Sequence, residues 1–170
     1  PVRRLRDSDV KVGAVIAYPF GMTPTQVKVY EARHALNHGA AEIDFTANLG
    51  EVKSGDFNAA HKDIEEVVGV AKLAGLTRDG EDIVVKVIIE VGLTTEEEQA
   101  RLCRIAKAVR ADFVKTCSGV GPRKVTVSDI RRLHHLVGRM GQVQGSHIAW
   151  APLKILHQLV DLLIRQDHIA

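Results

Sequence analysis

The 170-residue sequence lacks long apolar runs and has few cysteines, and its positive and negative charges nearly balance. No run approaches the ~20 apolar residues that a membrane-spanning helix needs, and the start of the chain shows no secretory signal pattern. We therefore expect a cytoplasmic protein with no membrane partner. The formal net charge of +2 at pH 7 is too small to indicate a nucleic-acid partner. Charged residues make up 26% and hydrophobic residues 45% of the sequence, close to the average of soluble globular proteins, which argues against a disordered chain.

Cysteine and histidine are too sparsely placed to indicate a metal centre. Cys103 and Cys117 have no CxxC partner, so neither a disulfide framework nor a zinc knuckle is predicted, and we expect reduced thiols. His34 and His38 are four residues apart and could supply half of a metal site. No third ligand is evident, and zinc needs three or four, so a solvated pair is favoured. We expect no metal and no other cofactor.

The length sets a limit on the architecture. At ~150 residues per domain, 170 residues predict a single domain over residues 1–170. An eight-stranded (β/α) barrel usually takes ~250 residues and rarely fewer than ~200. At ~30 residues per strand-and-helix unit, this chain holds five or six units.

Strands and helices are predicted to alternate along the chain. Five short β-rich runs are bounded by turn signals, at residues 10–17, 41–48, 83–90, 112–116 and 142–145. Helical patterns follow them, ending near residues 38, 73, 109, 137 and 165. Alternation of this kind predicts parallel strands joined by crossover helices, which is the α/β class.

Capping signals fix where several of these helices begin. Thr23 is the predicted N-cap of the first helix, with Pro24 at the first helical position and Gln26 completing a capping box. This helix is expected to bury Val27, Tyr30 and Ala35 and to end at Gly39. Capping boxes are also predicted for the third and fourth helices, at Thr94 or Thr95 with Glu97 or Glu98, and at Thr126 with Asp129.

The last predicted helix, residues 152–165, carries a dense apolar stripe. In a complete barrel this stripe would pack on the sheet. In a chain of this length, part of it could stay open and drive self-association. We therefore expect a homo-oligomer.

Three of the predicted strands carry ionisable residues on one face. Parallel strands covered by helices are normally apolar on both faces. Because side chains alternate along a strand, Asp44, Lys86, Glu90 and Lys115 are predicted to point to the same side of neighbouring strands, mostly toward their carboxyl ends. Burying such groups is costly, so the cluster indicates a functional site. An ion pair that only fixes strand register is the alternative interpretation.

Two lysines near a carboxylate are suited to Schiff-base chemistry. A neutral lysine amine attacks a carbonyl and forms an imine that serves as an electron sink. Free lysine has a pKa of ~10.4 and is almost entirely charged at pH 7, so the amine needs desolvation or a nearby cation. The second lysine could be that cation, and a carboxylate such as Asp44 could relay protons through water. The residues thus predict metal-free aldol cleavage or condensation.

Three stretches of the sequence resemble the deoxyribose-phosphate aldolase family of class I aldolases. They are VIAYPFGMTPTQVKVYEARHALNHGAAEIDFTANLGEVKSGDF from Val15, VVKVIIEVGLTTEEE from Val84, and ADFVKTCSGVG from Ala111. With the intervening helices they cover roughly residues 10–137, and the ADFVKT block after a KVIIE strand is specific to this family. The resemblance implies a (β/α) barrel of TIM type, here apparently incomplete with about five strands.

The resemblance also implies roles for individual residues. Lys115, in the FVKT strand, would form the Schiff base, and Asp44, in the EID strand, would relay protons. Lys86, in the KVIIE strand, would lie near the reactive amine. Thr116 and Ser118 would shape the site, with Cys117 in place of the family's usual serine. The implied activity is reversible cleavage of 2-deoxy-D-ribose 5-phosphate to D-glyceraldehyde 3-phosphate and acetaldehyde, so the expected partner is a small sugar-phosphate or aldehyde substrate.

Some positions depart from the family pattern. A further family lysine lies in a VKxxGG strand, and the best register, residues 143–148 (VQGSHI), places Gln144 there. His147 and Ile148 replace two glycines that would cradle the substrate phosphate. The family's first two strands and its last strand are expected to have no counterpart here. These departures favour an alternative, a catalytically impaired, truncated barrel that acts as an oligomeric or sugar-phosphate-binding protein.

Overall fold

Five parallel strands form one sheet, in the order in which they occur along the chain. A computed structural model describes residues 2–5, 7–138 and 142–144. The strands are β1 (Gly13–Ile16), β2 (Glu42–Thr46), β3 (Val84–Ile88), β4 (Phe113–Lys115) and β5 (Gln142–Gln144). Each pairs in parallel with the next. The α/β prediction is confirmed, and each strand lies inside its predicted run.

Helices connect the consecutive strands. They are α1 (Thr25–Asn37), α2 (Leu49–Ser54), α3 (Phe57–Ala74), α4 (Glu96–Ala108) and α5 (Val127–Val137). The six-residue helix α2 was not predicted; Asn48 caps its start, and Gly55, with φ of +81°, ends it. The predicted helix over residues 152–165 lies outside the described residues.

The capping predictions hold for α4 and α5 and fail for α1. Thr95 with Glu98 and Thr126 with Asp129 form complete capping boxes. Helix α1 instead begins at Thr25, and its N-cap is Pro24, which has no side-chain cap bond. The prediction of Thr23 as N-cap with Gln26 as its box partner is therefore wrong. A contact between helices stabilises the first turn instead, because the Thr25 hydroxyl donates to Asp63 of α3 at 2.9 Å.

The predicted buried face of α1 is wrong for Val27 and Tyr30, whereas Ala35 is partly buried and packs against the core. Val27 and Tyr30 are 49% and 68% exposed, whereas Lys28 and Ala32 are fully buried. Lys28 tolerates burial because its ammonium lies 2.6 Å from the buried carboxylate of Asp63. A pattern that counts lysine as a surface residue selects the wrong face of this helix.

The apolar core lies between the sheet and its covering helices. The outward side chains of β2, β3 and β4 are almost completely buried; they are Ile43, Phe45, Val85, Val87 and Val114. Helix α3 packs in the same core cluster, through Ile64, Val67, Val68 and Ala71. One face of the sheet is thus filled by hydrophobic packing. The other face is left for the ionisable residues. Among the described residues, no helix has the length and apolarity needed to cross a membrane.

Candidate active site

Asp44, Lys86 and Lys115 meet on the inner face of the sheet. The Lys115 ammonium donates to Asp44 Oδ2 at 2.7 Å, and Lys86 Nζ lies 3.0 Å from Asp44 Oδ1. One carboxylate therefore bridges two ammonium groups. The side chains are 16% exposed for Lys115, 13% for Asp44 and 6% for Lys86, so the outermost of the three is Lys115.

Strand register explains this arrangement. Asp44 of β2 pairs directly with Lys86 of β3, while Lys115 of β4 pairs with Ile88, two residues further along β3. Because the strands are parallel, Lys115 lies nearer to the carboxyl ends, where (β/α) barrels keep their sites. Asp44 thus contacts one lysine beside it and another nearer the open end.

Glu42 is a fourth member of the cluster and was missed in the sequence. Lys86 donates to Glu42 Oε2 at 2.5 Å. The sequence contained a signal for its position, because Glu42 lies two residues before Asp44 and therefore on the same face of the strand. Burial alone would lower the pKa of Lys86, but the charges of Asp44 and Glu42 outweigh it and raise the pKa above its ordinary value. Lys86 is therefore a persistent cation.

The loop after β4 is anchored to the end of β3. Ser118 donates to Glu90 Oε2 through its backbone N–H at 2.7 Å and through its hydroxyl at 2.5 Å. Val91 N–H donates to the Thr116 carbonyl at 2.8 Å. Thr116 and Cys117 are both buried. This places the residues that follow Lys115 in a fixed position at the carboxyl end of the sheet.

Glu90 was predicted to lie with the lysines, but its recorded contacts are with the loop. Its backbone has a left-handed φ of +49°, which is strained for a residue with a side chain. The side chain is fully buried, and Oε1 has no hydrogen-bond partner among the described residues. Glu90 therefore supports the loop and does not pair with Lys86 or Lys115.

The two histidines of α1 contact each other. Their ring centroids are 4.2 Å apart, and His38 Nδ1 lies 2.7 Å from the His34 carbonyl. No cluster of three or more metal-ligating side chains occurs within residues 2–5 and 7–138.

Cys103 and Cys117 form no disulfide with each other, and burial raises the pKa of the Cys103 thiol to about 12.

A carboxylate shared by two amines can bind, orient and exchange protons with a small electrophile. A neutral Lys115 amine would be the nucleophile, since it lies nearest to the open end of the sheet. Asp44 can accept a proton from either lysine, and Lys86 supplies a fixed positive charge. Schiff-base chemistry can use these groups: a lysine nucleophile, a proton acceptor beside it and a nearby cation.

Known proteins with similar sequences are aldolases. The chain is 48% identical over 133 residues to the deoxyribose-phosphate aldolase of Thermococcus gammatolerans, covering 78% of this chain and 56% of that protein. It is 43% identical over 142 residues to the enzyme of a Thermoanaerobacter species, covering 84% of this chain and 61% of that protein. The chain is homologous to deoxyribose-phosphate aldolases. No protein-family model matches it.

Solved aldolase structures share the fold. The deoxyribose-phosphate aldolase from Aeropyrum pernix, a tetramer, is 28% identical and superposes with a TM-score of 0.70, covering 85% of this chain and 58% of that protein. An aldolase named QR15 is 31% identical, with a TM-score of 0.73, over 82% of this chain and 60% of its own. The sheet is therefore part of a (β/α) barrel of TIM type. The chain spans less than two thirds of the length of the deoxyribose-phosphate aldolases that it matches.

Strand β5 places Gln144 beside Lys115. Gln144 pairs with Lys115 in the parallel ladder between β4 and β5. The resemblance places a family lysine at this position, next to the proposed Schiff-base former. His147 and Ile148, which replace the family glycines, lie outside the described residues.

Proposed function

We propose that the protein containing this segment is a class I aldolase that reversibly cleaves 2-deoxy-D-ribose 5-phosphate to D-glyceraldehyde 3-phosphate and acetaldehyde. The observation that carries the proposal is the Asp44 carboxylate, which lies within 3.0 Å of the ammonium groups of Lys86 and Lys115. The curated relatives support the choice of substrate, since deoxyribose-phosphate aldolase is the name of each one described above.

Lys115 is the proposed nucleophile. Its neutral amine adds to the C1 aldehyde of the sugar, and loss of water gives the iminium. The C2–C3 bond then breaks, its electron pair forming the C1=C2 enamine while the C3 hydroxyl loses its proton and becomes the aldehyde of glyceraldehyde 3-phosphate. Protonation of the enamine at C2, followed by hydrolysis, releases acetaldehyde and restores the amine.

Asp44 is the proposed proton relay, and Lys86 the proposed electrostatic helper. Asp44 hydrogen-bonds to the reacting amine and so can take up and return its protons, directly or through water. Lys86 keeps a positive charge beside Asp44, which favours the neutral form of a neighbouring amine. Thr116 and Ser118 shape the site by fixing the loop that follows Lys115.

The test is an assay for cleavage of 2-deoxy-D-ribose 5-phosphate, in which the release of acetaldehyde is measured. We expect Lys115→Arg to remove the activity and Asp44→Asn to lower kcat by about 10²–10⁴-fold, the usual contribution of a general acid–base group. Full activity in Lys115→Arg would overturn the proposal. The mutant proteins must keep the wild-type circular dichroism spectrum for the comparison to count.

A second candidate function is a catalytically impaired barrel that binds sugar phosphates or assembles with itself. The observation that favours it is the pairing of Lys115 with the uncharged Gln144. Assays of the wild type and of Gln144→Lys separate the two candidates. An active wild type supports the aldolase, whereas an inactive wild type that gains activity on Gln144→Lys supports the impaired barrel.

We also propose a homo-oligomeric state and a cytoplasmic location. The tetrameric aldolase from Aeropyrum pernix supports the assembly. Buried cysteines that form no disulfide with each other suit the reducing conditions of the cytoplasm. Sedimentation equilibrium measures the oligomeric state directly.

A further inference from the structure

Glu42 is the first residue of β2 and contacts Lys86 of the amine cluster. None of the proposed steps uses it. Its side chain is 18% exposed, and its Oε2 accepts a hydrogen bond from Lys86 at 2.5 Å. Lys86 is thereby held between two carboxylates, Glu42 on one side and Asp44 on the other. A lysine that acted only as a cation beside Lys115 would need neither a second acceptor nor a second negative charge.

The charge balance of the cluster gives Glu42 a role. With both lysines protonated, the four side chains Glu42, Asp44, Lys86 and Lys115 sum to zero. When Lys115 loses its proton to become a nucleophile, the cluster carries one negative charge. Negative charge disfavours this step and positive charge favours it, so Glu42 opposes the help that Lys86 gives.

The surrounding elements supply few other charges to compensate. Among the described residues, the carboxylates recorded in contact with Lys86 or Lys115 are Glu42 and Asp44, whereas Glu90, past the end of β3, contacts Ser118. Asp112 precedes β4 at the opposite end and pairs with Lys72 of α3 at 3.1 Å. On the far side, the β5 residue paired with Lys115 is the uncharged Gln144. Within the described sheet, Lys86 is therefore the cation beside Lys115, and Glu42 is its extra counterion.

We propose that Glu42 is a positioning residue that acts through Lys86: its carboxylate holds the Lys86 ammonium against Asp44 and offsets part of the positive charge that would otherwise favour a neutral Lys115 amine. The inference rests on the proposed function for its biological meaning, but the charge relationship is measurable without any aldehyde. Glu42 thus sets the pH range in which Lys115 can react.

The experiment is competitive labelling with trace acetic anhydride, read lysine by lysine through peptide mass spectrometry. Only neutral amines acylate, so the rate at Lys115 reports its neutral fraction. Lys62, whose side chain is 77% exposed, serves as the internal reference. The proteins are the wild type, Glu42→Gln, Lys86→Met and Lys86→Arg, with Glu65→Gln of the exposed face of α3 as a charge-matched control.

The two main variants are expected to change the labelling of Lys115 in opposite directions. Glu42→Gln keeps a hydrogen-bond acceptor and removes the charge, so the rate at pH 7 should rise about three- to tenfold. Lys86→Met removes the cation, so the rate should fall by a similar factor. Lys86→Arg and Glu65→Gln should stay within about twofold of the wild type, since neither changes the charge of the cluster.

An unchanged or slower rate in a folded Glu42→Gln protein would overturn the inference. So would shifts in the same direction for Glu42→Gln and Lys86→Met. If Lys86→Met does not fold, Lys86→Gln replaces it, and Glu42→Gln remains decisive by itself. If the variants show these shifts but the wild type does not cleave the sugar phosphate, the result supports the role of Glu42 and contradicts the aldolase proposal, so the two failures are distinguishable.

Discussion

At the scale of single residues, the chemistry depends on a few charged groups in fixed contact. Asp44 contacts two lysines because strand register places Lys86 beside it and Lys115 nearer to the carboxyl ends of the strands. Glu90 accepts hydrogen bonds from Ser118 in the loop that follows Lys115, and its backbone is strained. Strain of this kind persists only where the surroundings enforce it, and here the enforcing contacts are those to Ser118.

The contact between Ser118 and Glu90 can be tested by removing one hydroxyl. Ser118→Ala leaves a buried carboxylate with one donor fewer, which should lower the free energy of unfolding by about 1.5–3 kcal/mol. Urea denaturation followed by circular dichroism measures it. Ser54→Ala is the matched control, since its hydroxyl donates to the Glu51 carbonyl on the exposed surface, and the change should stay within about 0.5 kcal/mol. Equal effects of the two substitutions would contradict this role of Glu90.

The sequence allowed the clustered lysines to be predicted, but it did not reveal all of the side chains around them. Lys86 and Lys115 were identifiable because an ionisable residue inside an apolar strand breaks the expected pattern. Glu42 has the same spacing but stands at the start of its strand, where a charged residue is ordinary. Glu90 was assigned to the lysine cluster because strand alternation was extended past Ile88, where the strand ends and the backbone turns.

At the scale of elements, a buried ion pair helps to attach α1 to the sheet. Lys28 of α1 binds Asp63 of α3 at 2.6 Å and also donates to the Thr46 carbonyl at the end of β2. Both side chains are buried, with 0% and 2% of their surface exposed, and this burial lowers the pKa of Lys28 although Asp63 opposes the shift. This pair joins two helices to the strand that carries Asp44.

Breaking the pair should be strongly destabilising. Lys28→Met leaves the Asp63 carboxylate buried without its cation, and the expected loss is about 3–5 kcal/mol. Replacing both partners, in Lys28→Met with Asp63→Leu, should recover part of the loss, because no buried charge remains. Lys62→Met is the control on the exposed face of α3, expected within about 0.5 kcal/mol. Unfolding free energies from urea titration compare the four proteins. A wild-type stability for Lys28→Met would contradict the account.

Asp129 anchors the start of α5 and should make the fold sensitive to acid. Hydrogen bonds from Arg123, at 2.7 and 2.9 Å, are the main reason that the pKa of Asp129 lies well below its usual range. Because the folded state holds this proton more weakly than the unfolded state, the stabilisation is complete above pH ~3.9 and is lost as the pH falls further.

The measurement is the urea midpoint as a function of pH between neutral and strongly acid solution. Asp129→Asn should be less stable than the wild type at pH 7 and should show a shallower decline below about pH 4. Asp9→Asn, at an exposed position near the start of the chain, is the control and should follow the wild type. Parallel declines in the wild type and Asp129→Asn would contradict the assignment.

Some helix boundaries can be predicted from neighbouring residues in the sequence alone, and others cannot. The capping boxes of α4 and α5 are predictable because both partners lie within four residues of each other. The start of α1 is not, because Thr25 is engaged by Asp63, which is distant in sequence. Helix α2 was missed since it is six residues long and buries only Leu49 and Val52, too few for a periodic pattern, although Asn48 and Gly55 mark its ends.

At the scale of the whole molecule, alternation of apolar and polar residues determines which face of the sheet forms the core. A single cluster of buried side chains connects β1 to β4 with α1, α3, α4 and α5. Length alone predicted five or six strand-and-helix units, and the described part of the chain contains five strands in sequential order.

We predict that residues 1–170 unfold as one domain. Far-UV circular dichroism follows the helices, and the fluorescence of Trp150, the single tryptophan of the sequence, follows the segment after β5. Coincident urea transitions by the two probes are expected if one cooperative unit is present. A fluorescence transition at clearly lower urea concentration would show that the segment around Trp150 unfolds separately.

The measurement that tests the central claim most directly is reductive trapping on the intact protein. Acetaldehyde and sodium borohydride are added together, and the site of modification is read by peptide mass spectrometry. The account predicts an ethyl adduct on Lys115 that is lost in Lys115→Arg, with Lys86 unmodified because it remains protonated between Asp44 and Glu42. Absence of the adduct from Lys115, or its appearance on Lys86 in its place, would contradict the assignment of Lys115 as the reactive amine.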